Sequence, residues 1–176
     1  MKRYMTLLAL AWALLLTACN GGTPEGIAPV KPFELKPYLG VWHEIARLDH
    51  SFERGLTQVS ATYSMNEDGS VRVLNRGWDA ARGKWKEAVG RAVFVGASDE
   101  GRLKVSFFGP FYGGYNIIEY DPAHYTMICG PDRSYFWILA REPKLDQATL
   151  DRLLQRAKAL GFDTDKLIYP AESAKK

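Results

Sequence analysis

The sequence predicts an all-β fold, an eight-stranded antiparallel up-and-down β-barrel with one C-terminal α-helix packed outside. Between Val41 and Arg141, about eight short segments alternate apolar and polar residues, with tight turns between them. A Gly-x-Trp sequence, Gly40 to Trp42, opens the first segment, and one stretch of helical periodicity follows the last. Strands at this spacing are typical of a sandwich or a barrel, and an eight-stranded barrel can hold one small ligand.

Residues 1–18 have the features of a signal peptide and are not expected to belong to the fold. Lys2 and Arg3 supply positive charge, and the apolar run at 7–16 is too short to span a membrane comfortably. The run ends in Leu16-Thr17-Ala18-Cys19, which resembles the lipobox of bacterial lipoproteins.

The lipobox resemblance implies cleavage before Cys19 and attachment of lipid to that residue. Several acyl chains on one residue would hold the protein on a membrane, since a single chain binds only weakly. Asn20 rather than Asp follows the cysteine, which in bacterial lipoproteins implies the outer membrane, with the domain facing the periplasm. The alternative is an ordinary signal peptide with an incidental cysteine near the cut.

After cleavage the chain divides into a lipidated N-terminal tether, 19–32, and one barrel domain, 33–176. The tether is rich in glycine and proline from Asn20 to Val30 and is expected to be flexible. Lys and Arg total 23 and Asp and Glu total 20, and removal of Lys2 and Arg3 leaves 21 against 20. This balance argues against a nucleic-acid-binding surface, so no nucleic-acid partner is expected.

Alternation along each strand predicts which side chains point into the barrel. In the first strand one face holds Trp42, Glu44, Ala46 and Leu48, and the other face holds His43, Ile45 and Arg47. In a later strand the inner residues are small and are expected to leave room for a ligand; they are Ala88, Gly90 and Ala92.

The same alternation predicts an apolar, aromatic cavity with few charges. The residues expected to line it are Val73, Asn75, Phe94, Val105, Phe107, Asn116, Ile118 and Trp137. If the inner face of a strand is assigned one residue off, all of the side chains predicted to point inward point outward instead. Three glycines and three aromatic residues between Gly109 and Tyr115 predict a mobile hairpin, with Phe111 and Tyr112 near the mouth and in contact with a ligand's head group. The alternative is a hairpin packed for stability alone.

One helix is expected after the strands, packed on the outside of the barrel wall. Asp146 is a suitable N-cap and Gly161 a suitable C-terminal stop. The apolar residues between them recur at helical spacing, and they are Leu150, Leu153, Leu154, Ala157 and Leu160.

Several segments together resemble the lipocalin family, and within it the bacterial, Blc-type lipocalins. They are 38–47 (YLGVWHEIAR), 52–56 (FERGL), 105–116 (VSFFGPFYGGYN), 129–132 (CGPD) and 137–139 (WIL). The resemblance implies binding, storage or transport of a small hydrophobic molecule, without enzymatic activity or a cofactor. Fatty acids and lysophospholipids are the implied ligands, and pairing of two copies across the barrel mouth is an implied assembly.

The resemblance also implies structural roles for four residues. Gly40 and Trp42 form the first family motif. Asp121 is the residue kept from the family's Thr-Asp-Tyr turn, so contacts in that turn are expected to differ. Arg141 is expected to pack over the Trp42 indole, a contact worth about 0.5–2 kcal/mol.

Two alternatives to ligand transport stay open on the sequence alone. One is a lipid-modifying enzyme that uses Cys129, the cysteine left unpaired once Cys19 is lipidated, although no base stands beside it in sequence. The other is an envelope interaction lipoprotein whose barrel is packed shut. His43, His50 and His124 are not at metal-ligand spacing, so no metal site is expected. His50 is expected to be a solvated loop residue, and the alternative for it, beside Asp49, is a residue at the mouth.

Overall fold

The computed structural model describes residues 22–170, in which eight antiparallel strands close into a barrel. Residues 1–21 and 171–176 lie outside the described residues, and with them the predicted signal peptide and Cys19. The elements in chain order are α1 (Leu35–Tyr38), β1 (Gly40–Arg47), β2 (Leu56–Met65), β3 (Val71–Asp79), β4 (Lys84–Phe94), β5 (Arg102–Phe108), β6 (Phe111–Asp121), β7 (Tyr125–Cys129), β8 (Phe136–Ala140) and α2 (Gln147–Ala159). The predicted fold class is confirmed.

Each strand pairs with the strand that follows it, and β8 returns to pair with β1. The loops after β1, β3, β5 and β7 therefore lie at one end of the barrel, which we call the mouth. The turns after β2, β4 and β6 lie at the other end, which we call the closed end. Phe33 and Tyr38 cover the closed end and pack there against Val71 and Leu103.

Trp42 fills the centre of the closed end and is completely buried. Its Nε1 donates a hydrogen bond to the carbonyl oxygen of Tyr38 at 2.8 Å. Arg141 Cζ lies 3.6 Å from the centre of the Trp42 ring, so the predicted contact is present. The same guanidinium donates to the carbonyl oxygens of Pro37 and Pro122, which ties the start of β1 to the turn after β6.

Two further motif residues act on the backbone at the closed end. Gly40 has a φ of 97°, a left-handed conformation that glycine adopts without strain. The Asp121 carboxylate accepts a hydrogen bond from the Ala123 backbone N–H at 2.9 Å and lies 3.1 Å from His124 Nδ1. Both residues shape turns, and neither points into the barrel interior.

The helix α2 packs against the outer face of the barrel, as predicted. Leu153 and Ala157 are completely buried in an outer hydrophobic layer that includes Phe136 and Ile138 of β8. Asp146 caps the helix, because its carboxylate accepts a hydrogen bond from the Thr149 backbone N–H at 2.9 Å. None of the helices formed by residues 22–170 is long and apolar enough to span a membrane.

Residues 22–33, which we call the strap, lie along the outside of the barrel from the mouth toward the closed end. Asn116 Nδ2 donates to the Gly22 carbonyl oxygen at 3.0 Å, and the Val30 N–H donates to the Ile117 carbonyl oxygen at 2.8 Å. Ile27 is buried in the outer hydrophobic layer. The prediction of a flexible tether is therefore wrong for 22–32, because its polar backbone groups find partners on β6.

A β-bulge between Glu44 and Ala46 changes the predicted alternation of β1. Trp42 and Glu44 point inward, as predicted. Beyond the bulge Arg47 turns inward, while Ala46 and Leu48 join the outer hydrophobic layer. The prediction that Ala46 and Leu48 share a face with Trp42 is therefore wrong, because one extra residue shifts every side chain that follows it.

Candidate functional site

Most of the predicted lining residues lie in the inner hydrophobic cluster of the barrel. This group comprises Val73, Phe94, Val105, Phe107 and Trp137. Asn75 lies on the same face of β3 as Val73, opposite Ala61 of β2 in the strand register, and is half-buried. These strands keep regular alternation through the lining residues, so the period-2 pattern places them correctly.

Asn116 and Ile118 do not line the interior, and their predicted positions are wrong. Asn116 faces the strap and neighbouring backbone; its Nδ2 donates to the Gly130 carbonyl oxygen at 3.1 Å, and its Oδ1 accepts from Thr23 Oγ1 at 2.7 Å. Ile118 packs in the outer hydrophobic layer beneath α2. The inward residues of β6 are instead Tyr115 and Ile117, one position earlier in each case.

Three tyrosine hydroxyl groups meet inside the barrel, toward its closed end. Tyr115 Oη lies 2.7 Å from Tyr38 Oη and 2.8 Å from Tyr63 Oη. Burial raises the pKa of Tyr38 to about 12 and raises the pKa values of Tyr63 and Tyr115 well above their ordinary value, so all three stay neutral. This group forms a polar floor above the closed end that sequence alternation did not reveal.

The space below the tyrosine floor is almost filled. A cavity of about 10 Å³ remains there among Phe33, Val71, Leu103 and Ile117. That volume has room for about one water molecule. A ligand chain therefore has to occupy the half of the barrel between the tyrosines and the mouth.

A buried charge cluster lies in this upper half, in contrast to the predicted interior with few charges. Arg47 forms an ion pair with Glu44 inside the barrel, and both side chains are almost completely buried. Arg47 Nη2 donates to the Glu53 carbonyl oxygen at 3.0 Å, and Trp137 Nε1 donates to Glu53 Oε2 at 3.0 Å. The cluster therefore draws the loop after β1 over the mouth and joins it to a predicted lining residue.

The cluster holds two carboxyl groups but one guanidinium. Burial raises the pKa of Glu44 to about 8; the nearby Glu53 carboxylate adds to this rise, and Arg47 opposes it. Burial therefore favours the protonated form of Glu44, while the ion pair with Arg47 favours the charged form. Arg47 Nε is buried and has no hydrogen-bond partner among residues 22–170, which leaves a donor available to a ligand.

His50 is buried in the same loop, so the prediction of a solvated histidine is wrong. Its ring stacks on Tyr135 with the centroids 4.6 Å apart, and on Phe52 with the centroids 5.2 Å apart. Burial and the Arg47 charge lower the pKa of His50 to about 4, so the imidazole is neutral. Stacking between aromatic rings from separate loops is a long-range contact that local sequence does not show.

The barrel wall has a gap next to the mouth. β4 pairs with β5 from Arg91 to Phe94, and 84–90 continue toward the mouth without β5 alongside. The Phe107 ring fills the space over Gly90, since a Cβ at Gly90 would lie 2.8 Å from it. The room predicted at this glycine is therefore taken by Phe107.

Phe111 and Tyr112 lie at the mouth end, but their side chains are outside the interior. Phe111 is 79% exposed, and Tyr112 Oη accepts a hydrogen bond from Arg91 Nη1 at 3.2 Å on the outer wall. An open groove of about 470 Å³ along this wall reaches both Tyr112 and Phe107. The groove therefore approaches the interior at the β4–β5 gap.

Cys129 lies in the outer hydrophobic layer beneath α2, not in the barrel interior. Burial raises the pKa of its thiol to about 12, so the reactive thiolate is suppressed at neutral pH. The thiol therefore faces away from any ligand inside the barrel, which contradicts the alternative of an enzyme that uses Cys129. Residues 22–170 also contain no group of His, Cys, Asp and Glu side chains arranged to hold a metal ion.

Comparison with known proteins identifies the family. The family model for a lipocalin-like domain matches residues 33–172. The chain belongs to the lipocalin family. This lipocalin is 51% identical over 159 residues to the outer membrane lipoprotein Blc of Vibrio cholerae, with 89% of this chain and 92% of that relative covered. It is 48% identical over 170 residues to the outer membrane lipoprotein Blc of Escherichia coli, with coverage of 95% and 96%.

Solved structures show the same fold for this lipocalin. Insecticyanin from the tobacco hornworm Manduca sexta superposes with a TM-score of 0.68 at 22% identity, covering 85% of this chain and 86% of that one.

The sequence relatives give the location of this lipocalin, which is a lipid-anchored lipoprotein of the outer membrane. As a lipocalin it binds small hydrophobic ligands, and members of the family are generally binding and transport proteins.

Proposed function

We propose that this lipocalin carries single-chain lipids, fatty acids or lysophospholipids, in the upper half of its barrel. The observation that carries the proposal is the buried charge cluster of Glu44, Arg47 and Glu53, which lies at the mouth end of an otherwise apolar interior. A lipid with one acyl chain has the same division, an apolar chain and one polar head. The chain would lie against Val105, Phe107 and Trp137, with the head at the cluster.

The cluster offers complementary groups to such a head. Arg47 Nε is a buried donor without a partner among the described residues, and Glu44 in its protonated form is a second donor. A carboxylate or phosphate oxygen accepts from both, and charge-assisted hydrogen bonds of this kind are the stronger ones. No covalent step is part of this proposal.

Anchoring completes the proposed function. Cys19 is the proposed lipidated residue, since it follows the apolar run at 7–16 and ends the lipobox-like sequence. The alternative residue for attachment, Cys129, is buried beneath α2. Mass spectrometry of the protein isolated from membranes tests this: the expected N-terminal peptide begins at Cys19 and carries acyl chains, and an unmodified N-terminus at another residue would contradict it.

Lipid titration tests the carrier function. The chain from Asn20 onward is titrated with oleate and with lysophosphatidylcholine while tryptophan fluorescence is recorded. We expect saturable binding at one site, lost in Phe107→Arg because an inward cation occupies the acyl space. Phe108→Arg is the matched control, since the neighbouring side chain is 82% exposed and should leave binding unchanged.

The result separates the two functions that remain. If neither lipid binds saturably to the folded protein, either the barrel is closed or its ligand is of another class, and the envelope interaction lipoprotein becomes the better description. Pairing of two copies across the barrel mouth, which the family resemblance implies, is a competing proposal for this end of the molecule. Light scattering over a range of protein concentrations tests it, with a mass of one chain at all concentrations as the contrary result.

A further inference from the structure

The strap brings the N-terminal end of the described chain to the mouth of the barrel. Gly22, its first residue, lies against β6, since a Cβ at Gly22 would be 3.1 Å from Gly114 Cα. Asn116 Nδ2 holds the Gly22 carbonyl oxygen at 3.0 Å. Gly114 is three residues from Phe111 along β6, a distance of about 10 Å. The strap therefore begins close to the hairpin between β5 and β6.

The length of the remaining chain limits where the lipid anchor can be. Cys19 precedes Gly22 by three residues, and three residues span at most about 11 Å when fully extended. If Cys19 carries the acyl chains, as proposed above, the membrane surface must lie within about 11 Å of Gly22, and so within about 21 Å of the mouth end of β6. The anchor thus presents the mouth, and not the closed end, to the bilayer.

The mouth is also the apolar end of the molecule. Among residues 22–170, all of the exposed large aromatic side chains lie toward this end. They are Phe52, Trp85, Phe108, Phe111 and Tyr112. Phe108 and Phe111, at the tip of the β5–β6 hairpin, are 82% and 79% exposed. Exposed aromatic residues that converge at one end commonly mark a contact with another molecule or a membrane.

Two lysine side chains stand at the same end. Lys84 and Lys86 lie at the mouth end of β4, and no salt bridge pairs either of them with an acid among the described residues. Lys86 Nζ donates to the Phe52 carbonyl oxygen at 3.0 Å, which places its charge beside one of the exposed aromatic rings. These two positive charges favour an anionic surface as the partner of the mouth.

These observations point to one occupant, an anionic phospholipid surface. The geometry points to a docked orientation in which Phe108 and Phe111 insert into the bilayer that holds the Cys19 anchor, while Lys84 and Lys86 contact lipid phosphates. The β4–β5 gap, with Phe107 in it, then faces the lipid headgroups. A single-chain lipid would pass between the bilayer and the barrel without crossing bulk water. This inference rests on the proposed lipidation of Cys19 for the position of the membrane.

Vesicle binding by the chain from Asn20 onward, which retains every described residue, tests the docking surface without help from the anchor. The vesicles contain phosphatidylethanolamine and phosphatidylglycerol, and cosedimentation measures the bound fraction. We expect Phe108→Ser combined with Phe111→Ser to weaken binding about tenfold, since burial of one phenyl group alone can account for that factor. Val41→Ser is the matched control at the closed end, where Val41 is 46% exposed, and it should bind vesicles normally.

A second measurement separates docking from ligand carriage. Phe107→Arg should keep vesicle binding and lose oleate binding, whereas the Phe108 and Phe111 double variant should keep oleate binding and lose vesicle binding. Failure of the carrier function would appear as absence of oleate binding in every form. The docking inference is overturned if the double variant binds vesicles as the unaltered chain does. It is also overturned if the unaltered chain ignores vesicles but forms a dimer that the double variant breaks, because a second copy then covers these residues.

Discussion

At the scale of single residues, Arg47 has the greatest influence on the interior. It is 1% exposed, contacts Glu44 and the loop carbonyl of Glu53, and would have faced solvent without the β1 bulge. A buried charge persists only when its partners are present, because desolvation costs several kcal/mol per ion. Arg47 therefore stabilises two buried carboxyl groups at once. It holds this polar cluster together within a largely apolar interior.

Replacement of Arg47 by methionine should destabilise the protein by about 3 kcal/mol or more, because both carboxyl groups lose their cation. Urea unfolding followed by far-UV circular dichroism measures the change in the free energy of unfolding. Arg54→Met is the control, since Arg54 pairs with Asp49 at the surface, where such pairs contribute about 0–1 kcal/mol. Equal losses of unfolding free energy in the two variants would mean that the buried cluster contributes no more to stability than a surface ion pair.

The raised pKa of Glu44 predicts a pH dependence of stability. Its value is about 8 in the folded protein, against an ordinary value of 4.5, so the folded state binds one more proton between these two values. Stability from this group is therefore fully present below 4.5 and is lost as the pH rises through about 8. Glu44→Gln should remove that loss, so that its urea midpoint falls less than that of the unaltered chain over this range. Parallel curves for the two proteins would show that Glu44 titrates normally.

At the scale of elements, the strap shows how a segment of unpromising composition becomes ordered. Its glycines and prolines lower its own propensity for structure, yet Asn116 binds the Gly22 and Gly130 carbonyl oxygens together. The Val30 N–H continues the contact to β6, and the Val30 carbonyl oxygen accepts from the Gly101 N–H at 2.9 Å. Order in the strap thus comes from β6 and the turn after β4.

Asn116→Ala should therefore release the first part of the strap. The buried carbonyl oxygens lose their donor, and we expect a loss of about 1–3 kcal/mol in the free energy of unfolding. Hydrogen exchange should become faster at the strap amides, including Val30. Gln155→Ala, on the exposed face of α2, is the matched amide control and should stay within about 0.5 kcal/mol. An unchanged rate of hydrogen exchange at the Val30 amide would mean that contacts other than those of Asn116 keep the strap ordered.

At the scale of the whole molecule, the two ends of the barrel differ in construction. The closed end is filled by Trp42 and sealed by Arg141, and almost no space remains below the tyrosine floor. The mouth holds the buried charge cluster, the β4–β5 gap and the exposed aromatic residues. The closed end therefore has no space for a ligand, and the features proposed to handle the ligand all lie toward the mouth.

This division predicts the behaviour of an Arg141→Met variant. Loss of the contact with Trp42 and of hydrogen bonds to three backbone carbonyl oxygens should cost about 2–4 kcal/mol of stability. The affinity for oleate should stay within about twofold, because Arg141 lies at the end opposite the charge cluster. Calorimetric unfolding and the fluorescence titration measure the two quantities, and a large loss of affinity in a folded variant would contradict the separation of the ends.

Sequence alternation was reliable wherever a strand is regular. Val73, Phe94, Val105, Phe107 and Trp137 face inward as the period of two predicts. It failed on β1 after Glu44, where a β-bulge turns Ala46 and Leu48 outward. On β6 the alternation from Tyr115 to Ile118 is regular, but the inner face was assigned one residue off, so Asn116 and Ile118 point outward. An alternating segment does not itself show which of its two faces is the inner one.

The sequence by itself determined the barrel, its strand number and the outer helix with its Asp146 cap, because these depend on local periodicity and turn residues. The Trp42–Arg141 contact followed from the resemblance to the lipocalin family, and the structure contains it. Only the tertiary structure decided that Arg47 and Glu53 lie buried together, that His50 stacks on Tyr135, and that the strap begins beside the mouth. Each of these contacts joins segments through the closed sheet, so its energy depends on three-dimensional packing and not on neighbouring residues.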